Sequence, residues 1–220
     1  MSFAFFYFDR FEENESTDSS CSKLPDFRYE EIKKIISMVI EKYNIKKIPI
    51  NVFELAKKLK ITLVKYSDIT EYEFGELEKN GISRDSDGFY ALARKSNVLG
   101  PFIYYNDSKD IGRIRFTILH EIGHFILRHL QQSDLAEAEA NFFAKYLIAP
   151  PVLVDKIKPT DYMDIACVFK ISKNCAWYAF DYYGKWKRHH IKIGCNYTDY
   201  EWKILKICNL EIPESYRRLA

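Results

Sequence analysis

The apolar positions of this chain switch between the period of a helix and that of a strand. From Tyr29 onward, Ile32, Ile35, Ile36, Val39 and Ile40 recur at three- and four-residue steps, which predicts one buried helical face. Pro49 interrupts that run. Phe53, Leu55, Ala56 and Leu59 then predict a short second helix with Asn51 as its N-cap. Ile61-Thr-Leu-Val-Lys-Tyr66 is rich in β-branched residues and alternates in part, so it reads as a strand. Gly88–Ala93 and Phe102–Tyr105 predict two more strands, with Asn97 and Gly100-Pro101 as turn residues between them. The polar stretch Ser67–Asp87, with Gly75 and Gly81, reads mostly as loop.

Two longer helical patterns follow. One spans Lys109–His129. The next spans Ser133–Ile148, with Ser133 or Asp134 as N-cap, and Ala149-Pro150-Pro151 stops it because proline offers no N–H. Shorter helical patches lie at Tyr162–Phe169 and Asn174–Tyr183, and Thr198–Ala220 predicts another helix. Helices, a small sheet and helices again, in that order, predict an α+β fold rather than an alternating βαβ one. Internal repeats and Gly-rich phosphate loops are absent from the sequence.

Composition narrows the function classes. About half of the 220 residues are hydrophobic (47%), which suffices for a sizeable core, and the net charge of +2 is too small to argue for nucleic acid by itself. The five cysteines (Cys21, Cys167, Cys175, Cys195, Cys208) are odd in number and form no C-x-x-C pair. That argues against a disulfide framework or a cysteine metal site and gives the expectation of a cytoplasmic protein. The sequence holds no apolar run near the roughly 18 residues that span a bilayer. Glu12–Ser22 is acidic, Ser-rich and almost free of apolar side chains, so it reads as a flexible leader.

The chemistry gathers in the first long helix, at His120-Glu121-Ile122-Gly123-His124. Residues four apart on an α-helix differ by about 40° around its axis, so both imidazoles can reach one ion. Glu121, about 100° around, is placed to take a proton from a water activated at that ion. The flanks Phe116, Ile118, Leu119, Ile122, Phe125, Ile126 and Leu127 would bury this helix, and clustered polar groups in a buried helix are costly without a ligand. A catalytic zinc site takes three protein ligands. His129, five residues after His124, points some 140° away around an ideal helix and reads as a surface or helix-end histidine. In the next helix Glu137 is the preferred third ligand over Glu139, and Asn141, four residues on, shares its face as a supporting amide. Alanines 136, 138, 140 and 144 allow close packing on the histidine helix.

On these residues the chain resembles the ImmA/IrrE family of metallo-endopeptidases, which are gluzincin-like. The likeness rests on Arg115-Phe-Thr-Ile-Leu-His-Glu-Ile-Gly-His124 followed by Glu137-Ala-Glu-Ala-Asn-Phe-Phe-Ala-Lys-Tyr-Leu-Ile-Ala-Pro150, and extends upstream to Ile45–Leu63 and Phe102–Asn106. The resemblance implies a zinc ion held by His120, His124 and Glu137, with Glu121 as base and Asn141 supporting. It also implies a cytoplasmic protein substrate: a helix-turn-helix repressor encoded nearby, which silences phage, mobile-element or stress genes.

Four segments are expected. They are a leader at 1–24, a zincin-like domain at 25–150, a helical C-terminal subdomain at 151–194 and an extension at 195–220. A second donor for the tetrahedral oxyanion is sought among Tyr105, Tyr146, His189 and His190. The strand at Phe102–Asn106 is either a sheet edge that a substrate could extend or a buried core strand. The alternative function is a catalytically silent zinc protein that antagonises a repressor or antitoxin by binding. Direct nucleic-acid binding through the basic, aromatic run Lys185-Trp-Lys-Arg-His-His-Ile-Lys192 is the weaker expectation, and a membrane partner is not expected.

Overall fold

The computed structural model describes residues 24–95, 98–131, 133–193 and 197–213. The leader through Ser22, the expected turn at Asn97, Cys21, Cys195 and the last seven residues lie outside them. In chain order the elements are α1 (Asp26–Lys42), β1 (Lys47–Ile48), α2 (Val52–Lys58), β2 (Thr62–Lys65), α3 (Glu71–Lys79), β3 (Gly88–Lys95) and β4 (Val98–Tyr105). They continue with α4 (Ile111–Leu127), α5 (Asp134–Ile148), α6 (Pro151–Ile157), α7 (Tyr162–Phe169), α8 (Lys173–Ile193), α9 (Asp199–Ile207) and β5 (Asn209–Leu210). The fold is α+β, as the pattern predicts.

The chain divides into two compact units. The first runs from Val52 to Asn141, so it takes α2 through the first half of α5. Its sheet has the order β2-β4-β3, with β2 parallel and β3 antiparallel to β4. Alternation along the strands sends side chains to opposite faces. Phe89, Ala91, Phe102 and Tyr104 join Val64, Tyr66, Phe74, Leu77 and Ile82 in one core, in which Phe89 stacks on Tyr104 at 4.7 Å. Tyr90 points the other way, to α4, where its ring lies 6.0 Å from that of Phe125.

Two expectations change here. Ser67–Asp87 is not mostly loop, because α3 forms within it. Thr70 accepts from the Glu73 N–H while the Glu73 carboxylate accepts from Thr70, a reciprocal cap that starts the helix despite Gly75. Gly100 and Pro101 are not a turn either. They lie inside β4, opposite Ala93 and Leu92 of β3. β2 reaches only Phe102–Tyr105, so Pro101 has a strand partner on one side and its missing N–H costs no ladder bond on the other. Phe102–Tyr105 is thus a central strand, and the sheet edges are β2 and β3.

The second unit comprises Pro25–Asn51 and the chain from Phe142 onward. In it α1 packs on α9, α8 packs on α6 and α7, and β1 pairs in parallel with β5. Glu201 anchors this unit from a position only 1% exposed. Its carboxylate accepts from Trp186 Nε1 and from both the backbone N–H and the hydroxyl of Thr198, with His190 Nε2 3.3 Å away. Among the described residues no helix is long and apolar enough to cross a membrane.

Candidate metal centre

Helix α4 starts where the Asp110 side chain accepts from the Arg113 N–H. From Ile114 to His124 every residue is buried, so the middle three turns of this helix are enclosed on all sides. An ion pair ties its first turn to the start of β3: Arg113 Nε donates to Asp87 Oδ1 at 2.6 Å. Gly88 is required beside it, because a Cβ there would lie 2.5 Å from the Tyr104 carbonyl and 2.8 Å from the Thr117 methyl. The helix ends at Arg128, whose left-handed backbone (φ 59°) lets the His129 N–H reach back to the His124 carbonyl.

His120 and His124 are each 1% exposed and bring their Nε2 atoms to 3.0 Å from one another. Glu137 comes in from α5, where Ser133 caps the first turn through its hydroxyl. Its Oε2 is 3.3 Å from His120 Nε2 and its Oε1 is 3.5 Å from His124 Nε2. The three residues form a group that could hold a metal ion, with one ligand atom from each lying within 4.8 Å of the others. Atoms about 2.0–2.2 Å from an ion at tetrahedral angles stand roughly 3.3–3.6 Å apart. The observed spacings fall in or just below that range. The two imidazoles and one carboxylate are also the donor set of a catalytic zinc site. The residues therefore fit a metal ion of that size.

Glu121 follows His120 on α4 and is fully buried. Nearby, burial pushes the Tyr66 phenol well above its ordinary pKa. Its hydrogen bond with Ser86 (2.9 Å) works against that, and the negative charges of Glu121 and Asp87 reinforce it. Asn141 is half-buried one turn beyond Glu137 on α5. Alanines 136, 138, 140 and 144 are all buried.

His129 stands just past the end of α4, the helix-end position among its two expected readings, but it is not on the surface. Its side chain is 9% exposed, and its Nδ1 lies 2.8 Å from His124 Nδ1. The 140° projection assumed a continuing helix, whereas the left-handed Arg128 turns the chain back. Glu139, two residues beyond Glu137, lies outside the candidate ligand group and meets His129 instead. It is 5% exposed and places Oε2 3.0 Å from His129 Nε2. No spacing rule signals this contact, since it depends on the loop between α4 and α5. Of the oxyanion candidates, Tyr105 lies in the first unit with its ring edge-on to Phe53. Tyr146 and His190 belong to the second unit, where Tyr146 packs on Phe142 and Tyr182.

A histidine pair one helical turn apart, a carboxylate from the following helix and a glutamate between the histidines are an arrangement that fits a zinc peptidase. Residues 74–180, a little under half of the chain, match the IrrE N-terminal-like domain, Peptidase_M78. That segment belongs to the ImmA/IrrE metallopeptidase family, and it contains His120, Glu121, His124, Glu137 and Asn141. No curated protein matches the chain.

Proposed function

We propose that this protein is a zinc-dependent endopeptidase whose substrate is a helix-turn-helix transcriptional repressor. The observation that carries the enzymatic reading is the 3.0–3.5 Å convergence of His120, His124 and Glu137, with Glu121 as the neighbour of the first histidine. A metal ion bound there would supply Lewis acidity and lower the pKa of its water to near 7. His120 and His124 present their Nε2 lone pairs, and Glu137 neutralises part of the ion's charge. Glu121 accepts the proton of the attacking water and returns it to the leaving amine. Asn141 supports Glu137 from one turn further along α5.

The match of residues 74–180 to the IrrE N-terminal-like domain supports the repressor as substrate class. The test measures zinc per chain in the purified protein and in His124→Ala and Glu137→Ala, then incubates the zinc-loaded protein with a repressor encoded beside its gene. One zinc per chain, lost in both variants, together with repressor cleavage that a chelator stops, is the expected result. Zinc binding with an intact repressor that is nonetheless displaced from its operator would assign the silent, antagonist reading instead. A chain that takes up no zinc would remove the enzymatic reading.

A further inference from the structure

His124 has two ring nitrogens, and the metal-centre reading uses only Nε2. The other, Nδ1, lies 2.8 Å from Nδ1 of His129, and Nε2 of His129 lies 3.0 Å from Oε2 of Glu139. The row Glu139–His129–His124 is enclosed, with side chains 7%, 9% and 0% exposed in that order. We infer that His129 and Glu139 are positioning residues that fix the tautomer and ring orientation of His124, so that its Nε2 lone pair faces the metal. This inference rests on the reading of His120, His124 and Glu137 as metal ligands.

The argument follows from what each group can donate. An ionised carboxylate only accepts, so the proton between Glu139 and His129 belongs to His129 Nε2. With the His129 imidazole neutral, as a lone pair on His124 Nε2 for the metal requires, its other nitrogen carries no proton and His129 Nδ1 is an acceptor. Facing it at 2.8 Å, His124 Nδ1 must be the donor. His124 Nε2 is thereby left with its lone pair directed at His120 Nε2 and Glu137. A ligand histidine usually meets a carboxylate or a carbonyl at this nitrogen. Here a second histidine stands between the ligand and the carboxylate. The arrangement exists because Arg128 turns the chain back at the end of α4 and because Glu139, two residues beyond Glu137 on α5, meets His129.

The experiment compares zinc affinity, by competition with a chromophoric chelator, for the wild type, His129→Ala, Glu139→Ala and Glu139→Gln. Thermal unfolding of each metal-free protein identifies the folded fraction. Both alanine variants should bind zinc about 10–100-fold more weakly, while Glu139→Gln keeps most of the affinity because its amide oxygen still accepts from His129. Variants that lose metal-free stability but bind zinc as tightly as wild type in their folded fraction would overturn the inference. A second measurement needs no variant: ring nitrogen-15 resonances of the zinc-loaded wild type. They should show His124 protonated on Nδ1 and His129 on Nε2, and a proton on the opposite nitrogen of either ring would overturn the assignment. Failure of the wild type to bind zinc would instead overturn the metal-site reading, and this one with it.

Discussion

Arg113 and Asp87 meet at 2.6 Å across the junction of α4 and β3, with the Asp87 carboxylate almost completely buried and the guanidinium partly open to water. The same aspartate uses its backbone carbonyl to accept the Asn106 N–H at the end of β4. One residue thus joins both hairpin strands to the first turn of the histidine helix. Removing the arginine alone leaves a buried carboxylate without its cation, the costly way to break such a pair. Arg113→Ala should lose about 2–3 kcal/mol, below the range for fully buried pairs because Arg113 is partly exposed. Denaturant unfolding of the metal-free protein measures it, and a loss under about 0.5 kcal/mol would contradict the structural role.

Gly88 makes a steric prediction. Its neighbours are a backbone carbonyl and a methyl on the buried side of α4, and neither can swing away like the end of a long side chain. Gly88→Ala should destabilise the protein by roughly 1–3 kcal/mol through backbone shifts. It should also weaken zinc binding if the shift passes along α4. The contrasting control is Gly100→Ala, at a position with nothing within 4 Å, which should be close to neutral.

Glu121→Gln separates binding from chemistry. Glutamine keeps the shape and removes the base, so zinc content should stay at wild-type level while cleavage falls by about 10²–10⁴-fold. Cleavage at the wild-type rate would exclude Glu121 as the base.

In the second unit the prediction concerns stability alone. Glu201 is both the third residue of its helix cap and the acceptor for Trp186. Glu201→Ala strands buried donors and should cost on the order of 2–4 kcal/mol. The Trp186 fluorescence should shift toward the red as the indole N–H changes partner. A variant with unchanged unfolding midpoint and emission would show that the network carries no weight.

What could be read in advance depended on whether the deciding interaction was local. Helix α4 was legible because its apolar flanks and its histidine spacing agree on one geometry. Glu137 was legible as a choice because Asn141 repeats its face one turn later. The reciprocal cap of α3, Thr70 with Glu73, was also in the sequence and was outweighed by the glycines and polar side chains around it. Pro101 in a strand was not legible, since it is tolerated only because β2 stops one residue short of it. The burial of His129 at its helix end is hidden from the sequence for a similar reason. Its direction depends on one left-handed residue, and arginine does not announce that conformation as glycine does.

The enclosure of α4 also bears on time. Amide protons in helical turns buried on every side exchange only through large openings, so the backbone from Ile114 to His124 should be among the last to exchange with deuterium. Two of the three groups that would grip an ion sit on that slow segment. The third, Glu137, has a side chain 26% exposed and hangs from the first turns of a different helix. An ion would therefore enter and leave past Glu137, and the residence time of the metal would be set by how often that one carboxylate lets go.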